Sequence, residues 1–306
     1  MPEMSSPEYT AGRLTLYYSP AYAMAGIEFD TTRKAAWVAA SLAERPIDGV
    51  ALVAPEALTE DEIAAVHDPT YVRAVRTGVP SGLARSNGIG WDAHLFEAVA
   101  ASNGGAVAAA LEALASGGVA GSLSSGLHHA KAGRGDGFCT FNGLVLAARA
   151  ALRAGAGRIL VLDLDAHCGG GTHELLEHDE RIVQLDIAVD AYDAYVPGSP
   201  WTLDLVGRAA DYLPTIERRL DARADEHFDL VLYNAGMDPF EGCSVGGLAG
   251  IDHEILADRE RLVFARARGA GWPVAFVLAG GYADSEHTRR ELVDLHRETI
   301  AAAALT

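Results

Sequence analysis

The chain has 306 residues, of which 49% are hydrophobic, enough for one large core or two modest ones. A formal net charge of -18 argues against a nucleic-acid backbone as ligand, because phosphate binding needs clustered Lys and Arg. The acidity favours cationic partners, although the same acidity serves solubility.

No uninterrupted apolar run reaches the length of a membrane span, and the opening MPEMSSPEYTAGR lacks a charged-then-apolar leader pattern. Cys139, Cys168 and Cys243 have no zinc-ribbon spacing, so no disulfide framework is expected. These features predict a cytoplasmic protein with no membrane and no nucleic-acid partner.

In chain order, hydropathy and turn signals predict a strand at Leu14 to Tyr18, a helix at Thr32 to Ala43 and a strand at Val50 to Val53. Helices follow at Pro69 to Thr77 and Leu95 to Ala115, then a strand at Val119 to Ser124 and a helix at Asn142 to Ala154. The run Arg158 to Leu164 is short, apolar and branched, and reads as a buried parallel strand, with another at Ile182 to Ile187. A helix at Leu203 to Ala224, a strand at Leu230 to Asn234, a helix at His253 to Arg268, a strand at Val274 to Leu278 and a helix at Glu286 to Ala303 complete the pattern. The alternation predicts an α/β fold with a doubly wound, mainly parallel sheet and helices on both faces. With no low-complexity linker and no internal repeat, residues 1–306 read as a single domain.

Reactive groups gather where predicted strands end. SSGLHHAK carries His128 and His129, DLDAHCGGG carries Asp165 and His167, YNAGMDPF carries Asp238, and LAGGYA carries Gly280, Gly281 and Tyr282. Active sites of open α/β sheets lie at the C-terminal strand edge. If the chain stays extended, Asp165 and His167 project from one face. Two carboxylates and an imidazole with an open position describe a catalytic zinc site. Such an ion lowers the pKa of a water and polarises a carbonyl. Hydrolysis then needs a base, an acid and an oxyanion donor, which His128, His129 and Tyr282 can supply, while the paired glycines admit close backbone approach.

These motifs, together with TEDEIAAVHDPTYVRAV and HHAKAGRGDGFCTFN, make the chain resemble the histone deacetylase and acetylpolyamine amidohydrolase superfamily, of the arginase–deacetylase fold, over roughly Thr59 to Tyr282. The resemblance implies a zinc-dependent amidohydrolase that removes an acyl group, typically acetyl, from an amine such as acetyl-lysine or an acetylated polyamine. It implies one zinc on Asp165, His167 and Asp238. His129 would be general base and then acid, His128 its electrostatic partner oriented by Asp163, and Tyr282 the donor to the carbonyl oxygen. Gly137 and Phe138 would line the acyl tunnel. Asp163, Asp165 and His167, with Asp186, would offer oxygens to a structural potassium ion.

The chain departs from that family at several positions. Cys168 stands where a second His is usual, and Gly170 where an Asp or Asn usually orients the second active-site histidine. His129 is therefore expected to lack its usual partner, with water or another side chain open to fill the gap, and to have a lowered pKa. Asp186 replaces a usual Ser and Ala188 a usual His; the usual Arg-Pro-Pro-Gly and His-Pro-Glu-Arg elements are missing from SLSSGLHHA and EFDTTRKAAW. Cys168 is read as a buried, inert thiol pointing away from His167. Two other functions stay open: an arginase-like binuclear ureohydrolase, and a non-catalytic binding protein that keeps the pocket. The sequence leaves a homo-oligomer open.

Overall fold

Every residue of Ile159–Asp163 is buried, as are those of Leu230–Gly236 and Val274–Ala279, so these apolar runs can only be central strands covered on both faces. The computed structural model describes residues 14–27, 29–283 and 285–306; the opening MPEMSSPEYTAGR, on which the leader expectation rests, lies outside the described residues. The strands are β1 (Leu14–Tyr17), β2 (Val50–Val53), β3 (Val119–Ser122), β4 (Ile159–Asp163), β5 (Ile182–Ala188), β6 (Thr202–Leu205), β7 (Leu230–Gly236) and β8 (Val274–Ala279). They form one eight-stranded sheet in the order β2-β1-β3-β8-β7-β4-β5-β6, and every pairing is parallel.

The helices are α1 (Asp30–Glu44), α2 (Glu60–Ala64), α3 (Pro69–Thr77), α4 (Ser81–Ala84), α5 (Leu95–Ser116), α6 (Gly143–Arg153), α7 (Gly170–Leu176), α8 (Ala209–Asp221), α9 (His253–Ala270) and α10 (Glu286–Ala304). Alternate side chains of β4 enter separate cores: Leu160 and Leu162 pack with α8, α9 and α10, whereas Ile159 and Val161 pack with α5 and α6. Local chemistry sets the helix ends. Thr59 and Glu62 close a capping box at α2, and Asp68 caps α3 ahead of Pro69.

Two expectations need correction. Residues 203–205 belong to the edge strand β6, and the helix begins at Ala209. The segment TLDL is too short to show a period, and its ladder to β5 decides its state. The predicted strand Arg158 to Leu164 ends at Asp163, and the chain then bends. Among the described residues one helix, α5, has the length and composition of a membrane span, as a core helix also does. Its alanines instead pack against α6 and the sheet.

The sheet order places β3, β8, β7 and β4 side by side. Asp163 pairs in register with Asn234, and Asn234 with Val277, so the chain beyond these strands emerges at one edge. The segments carrying His128, Asp165, Asp238 and Gly280 all leave from there.

Candidate active site

Asp165, His167 and Asp238 converge in the bend beyond β4 and the turn beyond β7. Their ligand-type atoms all lie within 4.8 Å of one another, and all three side chains are buried. His167 Nδ1 is 3.1 Å from Asp165 Oδ1 and 3.2 Å from Asp238 Oδ2. A tetrahedral ion with bonds of about 2.0–2.2 Å has ligand edges of about 3.3–3.6 Å, a few tenths of an ångström wider than these separations. Buried Asp238 Oδ2 has His167 Nδ1 at 3.2 Å as its facing polar atom, so both oxygen ligands turn toward the same imidazole nitrogen. The donor set and spacing fit a divalent cation.

The expected geometry of an extended strand is wrong, although the two ligands still meet. The bend turns His167 back, so that its backbone N–H donates to Asp165 Oδ1 at 3.1 Å. Other polar groups fix this bend. Asp163 Oδ1 accepts from the Asp165 N–H and from Asn234 Nδ2, at 3.2 and 2.7 Å. Asp238 Oδ1 accepts from the Ala166 N–H at 3.0 Å. Arg259, fully buried, donates to the carbonyls of Leu164 and Gly236 and so ties together the strand ends before the two carboxylates.

The charges are strongly coupled. Burial opposes charge on His167, but hydrogen bonds to Asp165 and Asp238 outweigh it and push its pKa up to about 11. Burial, then the Asp165 carboxylate, pushes Asp238 up to about 6. Burial also works against the Asp165 charge, yet His128 and His167 pull it far below the carboxylate range. Two carboxylates thus hold an imidazolium, the same demand for positive charge that a metal satisfies by displacing the proton.

The histidine pair sits on a loop clamped from behind. Asn142, the N-cap of α6, donates to the carbonyls of His128 and Ala130. Buried His67 accepts from the Asn142 N–H at 3.0 Å, and its Nδ1 donates to the Lys131 carbonyl at 2.9 Å. His128 Nδ1 donates to Asp163 Oδ2 at 2.8 Å. Burial disfavours a charge on His128, but Asp163 and Asp165 prevail and push it up to about 10. Its Nε2 then donates to His129 Nε2 at 3.0 Å.

His129 does not lack a partner: its Nδ1 donates to Asp193 Oδ2 at 3.1 Å, from the loop between β5 and β6. The expected lowering of its pKa is present, to about 4, but for a different reason. Burial dominates, the neighbouring His128 charge adds to it, and the Asp193 carboxylate works the other way.

A cavity of about 410 Å³ opens onto this centre, lined by His129, Gly137, Phe138, His167, Tyr192 and Tyr282 among others. The rings of Phe29, Phe138 and Tyr282 meet with centroids 4.6–5.8 Å apart. Tyr192 stands edge-on to His129 at 5.0 Å, and its hydroxyl donates to Asp136 at 2.6 Å. Burial, and then the nearby Asp238 and Asp165, raises the Tyr282 pKa and keeps its phenol protonated. Gly280 has a φ of 52°, and a Cβ there would stand 2.2 Å from Asp238 Oδ1. Gly281 backs instead onto Leu292.

Asp163 and Asp186 lie opposite each other across β4 and β5. Burial and then Asp163 raise the Asp186 pKa well above the carboxylate range, and Asp186 Oδ1 is buried without a partner. Cys168 is buried, its thiol donates to the Asp190 carbonyl at 3.4 Å, and burial raises its pKa. The same loop is tied to the ligand bend by the Val189 and Asp190 N–H groups, which both donate to the Ala166 carbonyl.

Sequence reasoning missed Asp193, Tyr192 and Lys34. Buried Lys34 donates to the Gly280 carbonyl. No spacing rule marks Asp193, which reaches the site only because its loop folds back over the bend.

The histone deacetylase domain matches residues 28–210. An uncharacterized protein from Picosynechococcus is 36% identical over 228 residues, covering 72% of this chain and 75% of its own length. Histone deacetylase 2 of Arabidopsis thaliana is 33% identical over 172 residues, 53% of this chain; the match spans only 44% of that relative. Among solved structures, the HDA15 HD domain superposes with a TM-score of 0.81 at 20% identity, covering 96% of this chain and 90% of that one. The acetylpolyamine aminohydrolase of Burkholderia pseudomallei gives 0.75 at 19% identity, covering 94% and 98%. These structural likenesses carry the fold, and the sequence matches carry the relationship: this chain belongs to the histone deacetylase family.

Proposed function

We propose that the chain is a zinc-dependent amidohydrolase that removes an acyl group, most simply acetyl, from a linear amine. The observation that carries this is the juxtaposition of three buried metal-type ligands with a hydrogen-bonded histidine pair at the foot of an aromatic-walled cavity.

Asp165, His167 and Asp238 would hold one zinc ion, which when bound supplies Lewis acidity to a water and to the substrate carbonyl. The chain's own groups do the rest. With its Nδ1 proton engaged by Asp193, His129 keeps Nε2 unprotonated; that lone pair accepts from the His128 Nε2–H, and exchanging this bond for the water lets His129 take the water's proton and return it to the departing amine. His128, charged and anchored on Asp163, stabilises negative charge beside that atom. The Tyr282 phenol donates to the carbonyl oxygen as it becomes an oxyanion. Phe138, Gly137 and Tyr192 enclose the acyl-bearing chain, and Gly280 and Gly281 keep backbone close to the carbonyl. Asp163 and Asp186 fit a structural potassium ion, since two buried carboxylates in register need a cation or a proton between them.

Release of free amine from a panel of N-acetylated amines and acetyl-lysine peptides by the zinc-loaded protein tests this. Removing one oxyanion donor costs about 10²–10³ in kcat, so Tyr282→Phe should lose that much. Failure to release amine from any panel member, or full activity in Tyr282→Phe, would contradict it.

A further inference from the structure

Asp193, on the β5–β6 loop, hydrogen-bonds the histidine pair through its side chain, and three observations single it out. First, its carboxylate is nearly buried and satisfied: Oδ2 accepts from His129 Nδ1 and from the Gly171 N–H at 3.1 and 3.0 Å, while Oδ1 pairs with Lys131 Nζ at 2.9 Å. Second, its backbone lies in the left-handed region at a φ of 58°, which costs a non-glycine residue and persists where surroundings enforce it. Third, Gly170 stands directly against it. A Cβ at position 170 would come within 2.3 Å of the Asp193 carbonyl oxygen and 2.6 Å of its Cγ. No side chain at 170 is compatible with Asp193 where it stands.

We propose that Asp193 is the positioning residue for His129, delivered from a distant loop into space that Gly170 leaves free, and that Gly170, Asp193 and Lys131 form one unit. This rests on the amidohydrolase function proposed above. An ionised carboxylate only accepts, so the bond fixes the proton on Nδ1 and leaves Nε2 as the unprotonated nitrogen, the one that accepts from the His128 Nε2–H. It also fixes the ring's rotation, since Oδ2 is itself held by the Gly171 N–H. The Lys131 ammonium holds the other oxygen, so the carboxylate cannot turn away. The loop is secured to the metal-ligand bend by the Cys168 N–H, which donates to the Tyr192 carbonyl at 3.0 Å. The base is thereby indexed to the ligands through backbone as well as side chain.

The decisive variant is Asp193→Gly. Glycine accepts the left-handed backbone without strain, so the carboxylate is removed while the loop is relieved. With zinc-loaded protein, kcat should fall about 10–100-fold with KM within about twofold and zinc content unchanged. Asp193→Asn, which also tolerates this backbone and keeps an acceptor for Nδ1, should recover to within about fivefold of the parent. Proton NMR of ¹⁵N-histidine-labelled, zinc-loaded protein reads the bond itself: a sheltered His129 Nδ1–H signal in the parent and in Asp193→Asn, lost in Asp193→Gly. A kcat within threefold of the parent for Asp193→Gly, an Asp193→Asn variant as impaired as Asp193→Gly, or a sheltered signal that survives in Asp193→Gly would overturn the assignment. If the parent releases no amine from any acylated substrate, the proposed function fails, and the NMR comparison still decides the Asp193 bond.

Discussion

Replacing Arg259 with Met should destabilise the protein by about 3–5 kcal/mol, the cost of breaking a buried ion pair from one side. Arg259 and Glu260 are both fully buried, joined at 2.6 Å through Nη2 and at 2.8 Å through Nε. The same guanidinium donates to the Leu164 carbonyl at 3.2 Å, the Gly236 carbonyl at 2.6 Å and the Tyr212 hydroxyl at 3.1 Å. Methionine fills most of the volume but leaves the Glu260 charge and two strand-end carbonyls without this donor. The two carbonyls that lose this donor place the loss at the upper end of that range. The melting temperature should fall by roughly 10 °C for a chain of this size. Urea unfolding followed by tryptophan fluorescence measures the loss. In the double variant Arg259→Met with Glu260→Met the stranded charge is gone, so about 2 kcal/mol should return. Because Leu164 and Gly236 lead into the metal ligands, zinc affinity should also drop about tenfold in the single variant. A loss under about 1 kcal/mol, well short of that range, would refute the view that this pair braces the site.

Gly280→Ala places a Cβ 2.2 Å from Asp238 Oδ1 on a left-handed backbone, so zinc affinity, read by competition with a chromophoric chelator, should fall about 10–100-fold. Gly281→Ala, which meets Leu292 instead, should cost about 1–3 kcal/mol of stability and leave zinc affinity within about threefold. His67 should make the fold acid-labile. Burial lowers its pKa to about 4 from an ordinary 6.5, so between those values the unfolded chain binds the proton and the folded one does not. Stability is then complete above about pH 6.5 and falls as pH drops toward 4, by about 2 kcal/mol at pH 5. Urea unfolding at pH 7 and pH 5 should show His67→Gln losing about 2 kcal/mol less than the parent across that interval; an equal loss in both would remove His67 as the cause.

Much of this architecture is legible in the sequence because central parallel strands are short apolar runs that allow few alternatives. The segments at β4, β7 and β8 could be read directly, and the motifs at their ends pointed to Asp165, His167 and Asp238, which the fold brings within 4.8 Å of one another, and to the adjoining histidine pair. What escaped was decided by tertiary contact. TLDL carries no periodic signal, and only its ladder to β5 makes it a strand. The extended geometry assumed for Asp165 and His167 failed because Asp163 and Asp238 accept backbone N–H groups that bend the chain. The gap left by Gly170 is legible, and so is the opening for another side chain to fill it, but not which side chain does. The carboxylate that fills it is remote in sequence, and only the fold shows that the missing side chain makes room for Asp193.

The most direct test of the account is a zinc titration of metal-free protein with amine release from the best acetylated substrate as readout. Three ligands around one open position predict that activity rises linearly and breaks at one zinc per chain, and that Asp238→Ala shows neither the rise nor the break. Undiminished activity without metal, or a break at two ions per chain, would contradict it.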